Sequence, residues 1–184
     1  MDYTVLTTIT EEPVSLNDTK IYLRTILGDT SEDEAVITPV IAAAREYCEG
    51  ITGRAIAQQD VELVLDTLEH IILLPKPPIV SVTKVLYLDA DGVEHEITDY
   101  IVDTIKGVVY IPNLPTEKLY PFSPVHITYK AGYTDVPKML RQAVLLVAAH
   151  WYENREMLQF GSRYNEVQAG LVPQILNQYK VWWF

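Results

Sequence analysis

A chain of 184 residues, 48% hydrophobic and 21% charged, has an ordinary globular composition and can bury about 70% of its unfolded surface as one domain. Twenty-five Asp and Glu against fourteen Lys and Arg give a net charge of −11, and without a basic patch this argues against a protein that grips nucleic acid through its phosphates. No apolar run approaches the roughly 18 residues of a membrane span, MDYTVLTTITEEP lacks the regions of a signal peptide, and the lone Cys48 leaves no disulfide framework, so a cytosolic origin is expected.

The first segment has a helical period. Ser15 with Asp18 three residues on reads as a capping box, although Asp stands where Glu or Gln is usual. Leu16, Ile21 (or Thr19), Leu23 and Leu27 mark one side of a short helix, with Gly28 as its stop. A second helix starts at Thr30 or Ser31, with Glu32, Asp33 and Glu34 in its first turn, where the helix dipole favours acids. Val36, Ile37, Val40, Ile41, Ala44, Cys48 and Ile51 carry its apolar stripe to Gly53. Pro39, inside that stripe, either kinks the helix or marks its true start.

The middle of the chain switches to strands. Val61–Leu65 and Ile71–Leu74 are short β-type runs, and Pro75, Pro77 and Pro78 then force a turn. Val80–Leu88 and Val93–Ile97 flank a hairpin turn, Asp89-Ala-Asp-Gly92. Tyr100–Val102, Val108–Ile111 and Val125–Tyr129 complete the set. Short strands with Gly and Pro turns predict a small antiparallel sheet or compact barrel.

Helical signals return after Gly132. Pro137 suits a first helical position, and an apolar helix runs on to about Glu156. Its middle, Ala143-Val-Leu-Leu-Val-Ala-Ala149, leaves no wet face for two turns, so it must be covered on all sides. A polar stretch, Gln159–Gly170, and an apolar one, Val172–Leu176, lead to the tail Tyr179-Lys-Val-Trp-Trp-Phe184. The expected layout is a single domain over 1–184: helices over 15–57, a β insertion over 58–132, and the long helix with the C-terminal segment over 137–184.

Motifs for catalysis are few. His70, His95, His126 and His150 lie on separate elements, and none has the i, i+4 spacing of H-E-x-x-H. His150 and Glu153 share a helix face, but no second such pair completes a metal site. Asp89-Ala-Asp-Gly92 resembles the start of a calcium loop, yet Tyr100 stands where the bidentate Glu belongs. Glu94 and Glu96 read as an exposed acidic edge, Cys48 as a buried thiol, and Gly50-Ile-Thr-Gly53 as a helix end. No catalytic residue, cofactor or metal is therefore expected. The acids at Asp29–Glu34 and Asp89–Asp103 read as solvated loops that keep the chain soluble. Trp182, Trp183 and Phe184 either fold back on their own core or anchor in a partner, since each ring buries roughly 150–250 Å².

Taken together, several short signatures resemble one family. They are Leu23-Arg24, Glu32-Asp-Glu34, Ala42-Ala-Ala-Arg-Glu46 with Glu49, Thr52-Gly-Arg54 and Gln58. Next come Leu74-Pro75, Pro77-Pro-Ile-Val80, Ala131-Gly132-Tyr133 with Pro137, and Tyr152-Glu-Asn-Arg-Glu156. Over about residues 15 to 180 their order and spacing resemble the head-to-tail connector proteins of long-tailed bacteriophages, also called head-completion or adaptor proteins. The terminal Trp-Trp-Phe is not part of that pattern.

The resemblance implies an α+β fold, mainly helical: a helical bundle with an inserted small antiparallel β-sheet. It implies a structural virion protein of the neck, made in the host bacterial cytoplasm, and not an enzyme. About twelve copies would form a ring by self-contacts, docked below the portal protein and carrying a stopper or tail-completion protein. Double-stranded DNA would pass through without specific binding. The ring and partner contacts are expected at Arg141, Tyr152, Arg155 and Glu156, at the ends of the long helix, and at Tyr179, Trp182, Trp183 and Phe184. Channel-facing acids are expected among Asp29, Glu32, Asp33, Glu34, Asp89 and Asp91. The competing readings are another neck or tail-terminator-like subunit, and a small enzyme with a dispersed active site.

Overall fold

A computed structural model describes residues 2–7, 9, 11–24, 31–154 and 170–182, without the side chains of 31 and 32. The chain divides into two compact units, Met1–Ile9 with Gln58–Thr134, and Thr10–Ala57 with Asp135–Phe184.

The first unit is built of strands: β1 (Asp2–Val5), β2 (Gln59–Leu65), β3 (Ile71–Leu73), β4 (Ile79–Leu88), β5 (Glu94–Glu96), β6 (Ile101–Asp103), β7 (Val108–Tyr110) and β8 (Val125–Ala131). They form two antiparallel sheets, ordered β1-β2-β8-β4-β5 and β3-β7-β6. Strict alternation on β8 buries Val125, Ile127, Tyr129 and Ala131 and turns His126, Thr128 and Lys130 to the other face. On β4 the inward positions are Ile79, Val82, Val85 and Tyr87. Two register shifts against β8, at Ile79/Ser81 and Val82/Lys84, flip the parity and then restore it. Deep in the sheet, the Tyr129 hydroxyl donates to the Pro75 carbonyl at 2.8 Å.

The second unit holds the helices α1 (Leu16–Leu23), α2 (Ser31–Thr52), α3 (Lys138–Glu153) and α4 (Leu171–Tyr179). The Ser15 hydroxyl caps α1 by accepting the Asp18 N–H at 3.0 Å. It is Thr19, not Ile21, that points inward. The helix ends at Arg24, in the left-handed region at φ 58°, four residues before the expected stop; Gly28 itself lies outside the described residues. Pro39 stays inside a continuous α2, whose Ile37, Ile41, Ala44 and Cys48 face the core. Gly53 closes α2 at φ +68°, its N–H donating to the Glu49 carbonyl at 2.8 Å.

Packed against α1, α2 and α4, α3 buries Leu140, Ala143, Val144, Val147, Ala148 and Ala149. Leu145 and Leu146 stay half-exposed, so the helix is less completely covered than its sequence suggests. Val172, Ile175 and Leu176 of α4 complete this core, and burying each such side chain contributes about 1.5–3 kcal/mol.

One expectation needs correction. The fold is α+β, but it is not mainly helical with a small sheet inserted. Helices of 8, 22, 16 and 9 residues stand beside eight described strands in two sheets, with the longer strands reaching 7 and 10 residues. The sheet unit has its own fully buried core, including Val61, Leu63, Val85, Ile127 and Tyr129. What enlarges it beyond the expected insertion is β1, which adds residues 2–5 to the edge of β2.

Candidate functional site

The signature residues of α2 build an internal clamp. Arg45 and Glu49, four residues apart, lie on the same inward face, 5% and 3% exposed. The Arg45 guanidinium donates through Nε to Glu12 Oε2 at 2.9 Å, and its Nη1 lies 3.5 Å from Glu49 Oε2. The other carboxylate oxygen, Glu49 Oε1, accepts the Ile56 N–H at 2.8 Å and the Ala57 N–H at 3.4 Å. One turn on, buried Thr52 donates to the Cys48 carbonyl at 2.8 Å. Arg54 donates through Nε to the Tyr179 carbonyl at 2.5 Å, and the Val181 N–H donates to the Thr52 carbonyl at 2.8 Å. These charges are fully engaged with their own unit. Among the described residues every buried side-chain nitrogen and oxygen has a hydrogen-bond partner.

Cys48 lies beside this clamp, fully buried. Burial first, and the neighbouring Glu49 charge second, push its thiol from 9.0 up to about 12. A thiol held in that form is a packing group rather than a nucleophile.

The residues expected at a contact surface fall in several places. Arg141, half-exposed near the start of α3, forms an ion pair with Asp18 of α1. Tyr152, near the end of α3, donates its hydroxyl to Asp33 Oδ1 at 2.9 Å. These two mark opposite ends of one helix. Tyr179 is half-buried at the end of α4, and Trp182 follows at 63% exposure with Lys180 Nζ 4.9 Å from its ring centre. The tail is thus pinned at Val181 while Trp182 faces outward. Arg155, Glu156, Trp183 and Phe184 lie outside the described residues.

Two kinds of acid emerge. Asp33 and Glu34 are half-exposed and engaged, Asp33 with Tyr152 and Glu34 in an ion pair with Lys20. Asp29 and the Glu32 side chain lie outside the described residues. In the sheet unit, Asp91, Glu94, Glu96 and Asp99 are exposed around the β4–β5 hairpin and the segment leading to β6.

Asp89 is the hairpin's organiser. Its Oδ1 accepts the N–H groups of Asp91 and Val93, both at 2.9 Å, and its Oδ2 lies 2.8 Å from His95 Nε2. The bond to His95, then that to Val93, holds the Asp89 carboxyl below the usual range. His95 stacks on Tyr87, whose hydroxyl reaches Glu117 at 3.3 Å. Asp89, His95 and Glu117 therefore bring three potential metal-donor atoms within 4.8 Å of one another. Glu117 could not be connected to this turn from sequence, because it arrives from a segment beyond β7 with no local signal. The same applies to Glu12, whose pairing with Arg45 spans 33 residues.

Apolar side chains also collect on surfaces that the sequence did not single out. Ile71, Tyr110 and Ile101 pair in register across β3, β7 and β6, and are 63%, 42% and 63% exposed. Ile105, at the tip of the β6–β7 hairpin, is 95% exposed. In the helical unit, a groove of about 450 Å³ between α1 and α3 is lined by Val14, Ile21, Tyr22 and Leu145 together with Asp18, Lys138, Arg141 and Gln142.

Comparison with known proteins identifies the family. Among solved structures, a chain of the neck of an empty gene transfer agent particle, computed with C6 symmetry, superposes with a TM-score of 0.78 at 23% identity, covering 100% of this chain and 97% of that one. A chain from the virion of the native gene transfer agent particle gives 0.77 at 22% identity, with the same coverage. One from the native neck, computed with C12 symmetry, gives 0.73 at 21%, again with that coverage. At these identities the likeness establishes a common fold. No curated protein sequence matches. The model of the head completion protein family matches residues 14–165, most of the length and the whole span of the signatures noted above, and the chain belongs to that family.

Proposed function

We propose that about twelve copies of this chain form a ring that docks below the portal, extends the DNA channel and receives a stopper or tail-completion protein. The observation that carries the reading is the family match over residues 14–165. As a head completion protein, the chain is a structural component of the virion neck. The gene transfer agent chains that share its fold come from necks computed with C6 and C12 symmetry, which supports a closed ring.

In this role the subunit performs no chemistry and works by shape, symmetry and charge. Its buried ions are engaged in the Arg45–Glu49 clamp, and its thiol is held neutral. A wall bearing acids from the Asp29–Glu34 or Asp89–Asp103 clusters would repel DNA phosphates and prevent the salt-dependent adhesion that Lys and Arg create. Contacts to neighbours and to the portal would use Arg141, the Tyr152–Glu156 end of α3, and the segment from Tyr179 to Phe184.

Co-sedimentation of the purified chain with portal rings, and separately with tail tubes, tests the reading. Binding to portal rings is the expected result. Binding to tail tubes alone would make the chain a terminator-like subunit and overturn it.

A further inference from the structure

We propose that the β6–β7 hairpin of one copy seats its tip, Ile105, in the α1–α3 groove of the next copy. The inference rests on the ring reading above and names the contact that would close it.

The hairpin tip is a preformed knob. Asp103 Oδ1 accepts the N–H groups of Ile105 and Lys106 at 3.1 and 3.0 Å, which fixes the turn while leaving Ile105 95% exposed. A tip already ordered loses little conformational freedom on docking. An aliphatic side chain this bare, on a hairpin that buries Val109 completely, has no role in its own unit's core.

The groove is the complementary feature. Its lining sets Val14, Ile21, Tyr22 and Leu145 beside charged groups, and Ile21 and Tyr22 are 53% and 45% exposed on a helix that turns Thr19 inward. About 450 Å³ is ample for a branched aliphatic side chain and part of the adjoining turn.

Charge sets the pairing. Beside Ile105, the hairpin carries Asp103 and Lys106, with Lys106 Nζ 4.0 Å from Asp103 Oδ2. Beside the groove stand Lys138 and the Arg141–Asp18 pair. Docking sets Asp103 against Lys138 and Arg141, and Lys106 against Asp18. In a chain of net charge −11, contacts that spend its few cations on a neighbour's acids are the ones that overcome repulsion between copies.

A knob on one unit of a copy and a pocket on the other unit of its neighbour make a heterologous contact, the kind that propagates around a ring. Ile105 alone cannot bury the roughly 1,000 Å² that a stable interface needs. Ile101 and Tyr110 on the same hairpin, and Ile71 beside them, extend the apolar area.

Disulfide trapping tests the contact. Chains carrying Ile105→Cys and chains carrying Ile21→Cys are mixed, assembled on portal rings and oxidised, while buried Cys48 stays out of reach. The expected product is a covalent dimer in the mixture and none with either variant alone. In parallel, Ile105→Asp, at a site too exposed to affect folding, should cut the assembled fraction about tenfold while the circular-dichroism melt stays unchanged. Rings that form without the covalent dimer would overturn the contact but leave the ring intact as a reading. So would rings in which Trp182→Cys crosslinks to Ile21→Cys instead. If wild-type chains form no ring on portals at all, the ring reading fails and the contact falls with it.

Discussion

The two units of this chain differ in where they bury charge: Arg45 and Glu49 are buried in the helical unit, while the Asp89–His95 and Glu62–His126 pairs of the sheet unit stay part-exposed. In the helical unit, ionic groups are structural: Arg45 joins Glu12 and Glu49, Arg141 joins Asp18, and Lys20 joins Glu34. In the sheet unit, backbone ladders and an apolar interior do the holding, and Asp91, Glu94, Glu96 and Asp99 stand exposed. The lesson concerns how a family signature should be understood. Arg45, Glu49 and Arg54, three of the residues that carry the resemblance in the sequence, sit inside the helical unit as fasteners.

Removing a fastener should therefore have the largest effect. Arg45→Ala strands Glu49 in the core without its cation and should lower unfolding free energy by about 3–5 kcal/mol in urea titrations. A loss below about 1 kcal/mol would mean that the clamp behaves like a surface pair. The corresponding cut in the sheet unit is smaller. Tyr129→Phe leaves the Pro75 carbonyl without its 2.8 Å donor and should lose about 1–3 kcal/mol. If it matches Arg45→Ala, the contrast between the units is wrong.

The thiol gives a finer probe of the helical unit. Cys48 should resist iodoacetamide at pH 8 in the folded protein and react once urea unfolds it. Because its folded value is raised, it favours the folded state fully below its ordinary value of 9.0, and that contribution drains away as pH rises toward about 12. Native alkylation would show that α2 opens readily.

The smallest effect belongs to the acidic hairpin. The Asp89 carboxyl is depressed, so its contribution is present above the ordinary carboxylate value of about 3.9 and is lost as pH falls below it. Asp89→Asn should flatten that acid limb of the melting curve. An unchanged limb would remove Asp89 as the hairpin's organiser.

Much of the local structure was legible in the sequence, because it depends on local chemistry. Ser15 caps α1 as its hydroxyl spacing predicts, Gly53 ends α2 in the left-handed region, and the turn at Asp89–Gly92 forms where Asp and Gly demand it. The failures are non-local. The strand β1 is four residues with no turn signal of its own, defined only by pairing with β2. The apolar stretch Val172–Leu176 lies in helix α4, with Pro173 in its first turn, where the missing N–H is tolerated. The partition of the eight described strands into two sheets, and the meeting of Glu12 with Arg45, depend on tertiary contacts that no periodicity encodes. Seven of the eight described strands coincide with β-type runs in the sequence; β1, joining from residues 2–5, and the split into two sheets make the sheet unit larger than a small insertion.

A ring-forming connector subunit must assemble in many copies on its portal. Native mass spectrometry of the purified protein, with and without portal rings, tests it most directly. The account predicts a discrete complex with many copies of the chain per portal ring, whether or not the free chain is monomeric. A chain that stays monomeric and ignores portal rings under all conditions would contradict it.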